Sequence, residues 1–248
     1  MESVFLSKSF SFYLKNVKAS IIFALLLVSV VFFASFSNFF VGSGTIFFSY
    51  SLTLPELSVL AVQLTGIMLF LLFYSFFVTV IVFSVRKELS TVRLSYYLTE
   101  AIRRFSFKLF AFFAFFSIAM YLLQLLFLSI GFPAWLSSII LLLLASAFIF
   151  VPQAIVVDEE ALLHSFLTNF DFIRKNPKTV LFVMVIGAVL LAVLQLLEFG
   201  IDRMLLLGNY FSLFIMVFFI QPFMETLKTY LYMVQRFDLI KEHELGAH

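Results

Sequence analysis

Apolar residues occur in six long blocks along the chain, and charged residues are concentrated between the blocks. Each block is long enough, at about 1.5 Å per helical residue, to cross a hydrocarbon layer of about 30 Å. The blocks cover residues 20–41, 57–85, 109–130, 134–157, 179–199 and 207–227. This pattern predicts an all-α integral membrane protein with six transmembrane helices arranged as three hairpins.

The composition excludes a water-soluble fold. Of the 248 residues, 63% are hydrophobic and only 12% are charged, whereas soluble domains contain about 45–50% and about 25%. The chain has no cysteine, which excludes disulfides, thiolate metal ligands and cysteine nucleophiles. A net charge of +2 gives no indication of a nucleic-acid partner.

The lysines and arginines indicate the orientation in the membrane. Fifteen of the 16 lie before the first block, in the second and fourth connections, or after the sixth block, and only Arg203 lies on the other side. By the positive-inside rule the cationic side is cytoplasmic. We therefore expect a multi-pass protein of the cell membrane with both termini in the cytoplasm. Residues 1–240 form one domain, and 241–248 are a polar tail.

Three stretches on the cationic side have one apolar and one polar helical face, which is typical of interfacial helices. They are residues 5–18, 90–106 and 160–175. The acidic run 158–160 lies at the start of the third stretch, where Asp158 is expected to cap the helix. The order of elements is consistent with a threefold repeat of units 1–87, 88–157 and 158–240, or with a coincidence of hydropathy.

The cations of the second and third stretches are candidates for binding anionic lipid headgroups or a cytoplasmic partner. These residues are Arg93, Arg103, Arg104, Lys108, Arg174, Lys175 and Lys178.

Two prolines beside glutamines are candidates for helix breaks at membrane depth. Pro152 precedes Gln153 in the fourth block, and Gln221 precedes Pro222 in the sixth, with Glu225 close behind. Such breaks expose backbone groups and line polar cavities in some transporters. The alternative is that the bilayer ends there and that Glu225 pairs with Lys228 on one helix face.

No catalytic or metal-binding motif is present, so we predict a protein that is not an enzyme and needs no metal or cofactor. Glu160 and His164 share a helix face, but no second helix supplies the partner ligands of a metal site. An enzyme acting on lipid would need Glu225, Glu198 or the acidic run as catalytic groups.

Two stretches resemble a family of six-helix membrane domains. The first is Val151-Pro152-Gln153-Ala154-Ile155-Val156-Val157-Asp158-Glu159, followed by Ala161, Ser165 and Asn176, and the second is Pro222 followed by Tyr230-Leu231-Tyr232 and Arg236. Members of this family are fused to some bacterial glycerophosphodiester phosphodiesterases or occur as stand-alone bacterial and archaeal membrane proteins. The resemblance implies six helices with interfacial helices on the inner face. It implies no activity, because the chemistry of the fused members belongs to a separate soluble domain.

The sequence therefore favours a non-enzymatic scaffold or accessory protein that engages anionic lipid or a cytoplasmic partner. The alternative is a permease subunit of an ATP-driven exporter of apolar or lipid-like cargo, with segments 90–106 and 160–175 docking an ATPase subunit. The oligomeric state stays open.

Overall fold

A computed structural model describes residues 6–15, 17, 21, 25–26, 39–42, 45–48, 57–89, 98–205 and 208–237. Residues 6–15 are helical. The other elements are strands β1 (Phe39–Gly42) and β2 (Thr45–Phe48), and helices α1 (Leu57–Leu89), α2 (Leu98–Ser129), α3 (Ala134–Ser146), α4 (Val151–Val157), α5 (Leu162–Lys175), α6 (Pro177–Leu205), α7 (Gly208–Ile215) and α8 (Gln221–Arg236), with a π-helical turn, Met216–Ile220, between α7 and α8.

Five helical stretches of the described chain are long and apolar enough to cross a membrane. They are Thr65–Leu89, Leu98–Ser129, Trp135–Val157, Pro177–Arg203 and Phe211–Arg236. The chain is thus a polytopic helical membrane protein. Of the first predicted block, only residues 21, 25–26 and 39–41 are described, so the first of the six predicted spans lies mainly outside the described residues.

The prediction that the first helix extends to residue 41 is wrong. Strands β1 and β2 pair in antiparallel register, from Phe39 opposite Phe48 to Gly42 opposite Thr45. Phenylalanine, valine, isoleucine and threonine favour strands, and glycine disfavours helix. Strand β1 contacts α3 and α6. Outside this hairpin, the described elements are helical.

From residue 98 onward, the second amphipathic stretch is the beginning of a longer helix and not a helix of its own. Helix α2 continues from Leu98 through to Ser129, because its sequence contains no proline or glycine to end it. Ala101 and Phe105 are buried, and the same face continues through Leu109 and Phe112 into the bundle. The prediction of an interfacial helix over 90–106 is therefore wrong for 98–106, and residues 90–97 lie outside the described chain.

The fourth predicted span is present as Trp135–Val157, but its helix is interrupted just before Pro152, where a helix break is predicted. Helix α3 ends at Ser146, residues 147–150 form turns, and α4 begins at Val151. Pro152 lies in the first turn of α4, where its missing N–H group needs no partner.

The described helices pack around α1, which contacts α2, α4 and α8. The α1 and α8 spans are largely buried inside the bundle, whereas the α2 and α6 spans are mostly exposed. Aromatic rings fill much of the interior, with ring centroids 4.8 Å apart for Tyr74 and Phe113 and 4.9 Å apart for Phe150 and Phe172. Burial of such large apolar groups, together with their ring contacts, stabilises the helix packing.

Candidate functional site

An acidic turn, Asp158 to Glu160, joins α4 to α5 at one end of the bundle, which we call the charged end. Asp158 Oδ2 accepts a hydrogen bond of 2.6 Å from the Tyr232 hydroxyl and lies 3.5 Å from Arg236 Nε. Asp158 follows the last residue of α4, and Ala161 precedes α5. The expectation that Asp158 caps the third amphipathic helix is therefore wrong, since its carboxylate is directed at α8.

The position of Asp158 alters its protonation. Burial raises the pKa of this carboxyl above its ordinary value, and the charge of Glu160 adds to the rise. The Tyr232 hydrogen bond and the charges of Arg236 and Arg86 lower the pKa, but to a smaller extent. The carboxylate therefore carries an uncompensated desolvation cost when it is ionised.

Glu159 ties the acidic turn to two further helices. Its Oε1 atom lies 2.9 Å from Arg86 Nη2 on α1, and its Oε2 atom lies 3.0 Å from Arg104 Nη2 on α2. Arg86 also donates to the Val156 carbonyl over 2.9 Å. The φ angle of Glu159 is 59°, a left-handed conformation that is uncommon for residues other than glycine. The residue with this strained backbone conformation is thus the one whose side chain forms ion pairs with α1 and α2.

Glu160 completes the connections of the acidic turn. Its carbonyl accepts a hydrogen bond of 3.1 Å from Lys108 Nζ, and its carboxylate accepts bonds of 2.7 and 2.8 Å from the Thr168 hydroxyl. His164 Nε2 is 3.7 Å from the same carboxylate. Through its three acidic residues the turn therefore contacts α1, α2, α5 and α8.

The predicted lipid-binding cations differ in their surroundings. Arg104 and Lys108 bond to the acidic turn, although the Arg104 side chain is half exposed. Arg103, Arg174 and Lys178 are exposed. Lys175 is also exposed, and its Nζ atom lies 2.7 Å from Asp171 Oδ2. Arg93 lies outside the described residues. The hydrogen bond and charge of Lys175 lower the pKa of Asp171.

Helix α5 packs short polar side chains into the bundle and leaves both apolar and charged side chains exposed. Ser165, Thr168, Asn169 and Phe172 are buried. Three large apolar side chains, Leu163, Leu167 and Phe170, are 79%, 66% and 45% exposed. An apolar face exposed beside cations is typical of a helix at a membrane interface.

Asn169 holds the interruption between α3 and α4. Its Nδ2 atom donates to the Ala147 carbonyl over 2.7 Å, and its Oδ1 atom accepts a bond of 3.1 Å from the Phe150 N–H group. The side chain is completely buried, so it replaces helical partners that the turn has lost. The sequence analysis did not single out this residue, because an amphipathic pattern alone does not show which polar side chains of α5 contact other helices.

Tyr13 has a comparable role at the second proline. Pro222 has no N–H group to donate to the carbonyl four residues before it. That carbonyl belongs to Phe218, and the Tyr13 hydroxyl donates to it over 3.1 Å. The π-helical turn ends at the same place, where the Gln221 N–H group bonds to the Met216 carbonyl.

A buried polar cluster lies between α1, α4 and α8 and contains Gln153, Gln221 and Glu225 of the predicted set, together with Tyr74 and Lys228. Glu225 Oε1 lies 2.8 Å from Lys228 Nζ, 3.3 Å from the Tyr74 hydroxyl and 3.2 Å from Gln221 Nε2. Gln153 Nε2 donates to Glu225 Oε2 over 3.2 Å. The Gln221 amide also donates to the Tyr74 hydroxyl. The Glu225 carboxylate is therefore the common acceptor of the cluster.

The cluster lies well below the charged end. Both Glu225 and Lys228 are 1% exposed. Glu225 precedes Tyr232 by seven residues along α8, a distance of roughly 10 Å at about 1.5 Å per residue. Glu225 pairs with Lys228 as expected, but the pair is enclosed by helices. Ionisable groups in such surroundings are default candidates for function.

Glu198 and possible metal ligands are the remaining candidates for chemistry that the sequence offered. Helix α6 continues to Leu205, past the end of the fifth predicted block at residue 199, so Glu198 lies within a helix. Among the described residues, no three His, Asp or Glu side chains converge to hold a metal ion.

Comparison with known proteins gives no match to a protein-family model, a curated protein or a solved structure. The resemblance to the six-helix membrane-domain family therefore stays a prediction.

Proposed function

We propose that the protein is a non-enzymatic membrane scaffold or accessory protein whose charged end engages anionic lipid headgroups. The observation that carries this proposal is the surface of α5, where Leu163, Leu167 and Phe170 are exposed close in sequence to the exposed Arg174 and Lys178. Apolar side chains of this kind enter the boundary between headgroups and acyl chains, while the neighbouring cations attract phosphate groups.

The proposal includes an orientation and a family. We infer that the charged end faces the cytoplasm, because cytoplasmic connections carry the excess of lysine and arginine. The inner leaflet supplies anionic lipids to that side. Membership of the six-helix membrane-domain family is also part of the proposal and is supported by the Pro152 and Pro222 signatures.

Lipid selectivity tests the proposal. The purified protein is titrated in mild detergent with phosphatidylglycerol or with phosphatidylcholine, and bound lipid is counted by native mass spectrometry. We expect preferential retention of phosphatidylglycerol, with less preference in R174Q and K178Q. The matched control is R203Q, which removes the one cation assigned to the opposite side. Equal retention of both lipids, or an equal loss of preference in R203Q, would refute the proposal.

A permease subunit of an ATP-driven exporter is the second candidate function. The observation that favours it is the attachment of α5 to the spans, through Asn169 to the interruption between α3 and α4 and through Thr168 to the acidic turn. A short helix held in this way transmits motion between a docked ATPase and the spans. Co-purification of an ATPase from the native membrane, lost when Leu163 and Leu167 are changed to serine, would support this function over the scaffold.

A further inference from the structure

Glu159 is shared by two arginines that differ in exposure. Its Oε1 atom lies 2.9 Å from Arg86 Nη2, and its Oε2 atom lies 3.0 Å from Arg104 Nη2. The side chain of Arg86 is 14% exposed, whereas that of Arg104 is 51% exposed. Two guanidinium charges therefore share one carboxylate, and the half of this bridge that contains Arg104 is accessible to a competing anion.

The backbone of Glu159 favours a second arrangement of the acidic turn. Its φ angle of 59° lies in the left-handed region, where a residue other than glycine persists when surrounding contacts impose the conformation. The ion pairs with Arg86 and Arg104 are such contacts. Loss of the Arg104 contact therefore lets the turn relax, which offsets part of the cost of moving the Glu159 carboxylate.

The surface of α2 around Arg104 has the features of a phospholipid site. Arg103 and Arg104 are both exposed, and Phe107, one turn further into the span, is 61% exposed. Side chains three and four residues apart are neighbours on a helix, so the cations and the ring share one surface. Phe115, which is 64% exposed, lies two turns beyond Phe107. A phospholipid uses both the cations and this apolar surface, whereas a free phosphate ion uses the cations alone.

We propose that Arg103 and Arg104 bind the phosphate group of an anionic phospholipid and that Glu159 competes with this phosphate for Arg104. Arginine binds carboxylates and phosphates through the same N–H groups, so one guanidinium serves either anion. The lipid phosphate replaces Glu159 Oε2 on Arg104, and the acyl chains lie along the exposed rings of α2. Glu159 Oε1 keeps its bond to Arg86. This inference rests on the proposed function, because it adds a lipid site to the charged end.

Removal of the competing charge tests the proposal. The purified full chain is titrated in mild detergent with phosphatidylglycerol, and the apparent affinity is measured by native mass spectrometry. We expect E159Q to bind this lipid about fivefold more tightly than wild type, which is the effect of one more available cation near a membrane surface. The matched control E100Q removes an exposed glutamate of α2 and stays near the wild-type affinity. No gain in E159Q, or an equal gain in E100Q, would overturn the proposal.

Variants of Arg104 show whether the gain arises at this site. The double variant R104Q/E159Q is expected to bind no more phosphatidylglycerol than R104Q, because the competition requires Arg104. R104Q also covers the case in which E159Q does not fold: it is expected to bind less lipid than R203Q, which removes a cation assigned to the opposite side. A gain that persists without Arg104, or equal binding by R104Q and R203Q, contradicts the assignment.

Two further arms identify the ligand and separate this inference from the proposed function. Inorganic phosphate, at a concentration equal to that of the lipid, is expected to displace no phosphatidylglycerol, and displacement would assign the site to free phosphate. Wild type that prefers phosphatidylglycerol to phosphatidylcholine, with no gain in E159Q, would refute this inference and leave the proposed function standing. Absence of the preference in both proteins would refute both.

Discussion

At the residue scale, Asn169 shows how one side chain permits an interruption inside a span. Backbone groups at membrane depth need internal partners, because no water is available to them. The Ala147 carbonyl and the Phe150 N–H group both find a partner in Asn169. The turn between α3 and α4 therefore depends on a helix that follows it in the chain.

Replacing Asn169 by leucine removes both partners and leaves two buried backbone groups unsatisfied. We expect N169L to lower the free energy of unfolding by about 1–3 kcal/mol for each group. The measurement is chemical unfolding in mild detergent. H164L is the matched control, because it changes an exposed side chain on the same helix. Equal effects of N169L and H164L would contradict the role of Asn169.

Asp158 gives a pH-dependent contribution whose sign follows from its raised pKa. Because folding raises this pKa, the folded state binds the proton more tightly than the unfolded state, and the group adds stability as the pH falls. We expect the wild type to gain stability relative to D158N as the pH is lowered through the raised pKa toward the ordinary value. Thermal unfolding of both proteins in detergent over this range measures the difference. A relative loss of wild-type stability on acidification would show that the sign is wrong.

At the element scale, the first and third amphipathic stretches both turn polar residues toward the bundle. Ser9 and Tyr13 are buried in residues 6–15, and Ser165 and Asn169 are buried in α5, with the same spacing of four residues. The second residue of each pair donates to a backbone carbonyl that lies four or five residues before a proline. The amphipathic segments thus stabilise interruptions in the spans.

The bond from Tyr13 to the Phe218 carbonyl is predicted to depend on Pro222. The Y13F variant loses this bond, and we expect a cost of about 1 kcal/mol. In P222A the new N–H group at position 222 supplies a donor for the same carbonyl, so Y13F costs less in that background. A double-mutant cycle of unfolding free energies measures the coupling. Additive effects of Y13F and P222A would exclude the dependence.

The sequence predicted elements better than their contacts. Hydropathy located the five spans that the described residues contain, because a chain must cross about 30 Å of hydrocarbon in each span. Pro152 indicated a break in the fourth span, but the sequence did not show that the interruption at 147–150 depends on Asn169, which is 19 residues from Phe150. It found the pairing of Glu225 with Lys228, which is local in sequence, but not their link to Tyr74 on α1. Hydropathy contains no information on such tertiary partners.

At the scale of the whole molecule, the acidic turn organises the charged end. Asp158, Glu159 and Glu160 receive bonds from α1, α2, α5 and α8. Arg104 and Lys108 are consequently engaged within the molecule, and Arg103, Arg174 and Lys178 are the exposed cations that the proposed function assigns to lipid. The count of cations predicted the sidedness but could not separate these two groups. The threefold repeat stays a prediction.

The most direct test of the account is the sidedness of the charged end, and the absence of cysteine makes it practicable. Single cysteines are introduced as K178C at the charged end and W135C in the first turn of α3, since both native side chains are exposed. A membrane-impermeant maleimide is applied to intact cells and again after permeabilisation. We predict labelling of W135C in intact cells and of K178C only after permeabilisation. Labelling of K178C in intact cells would contradict a cytoplasmic charged end.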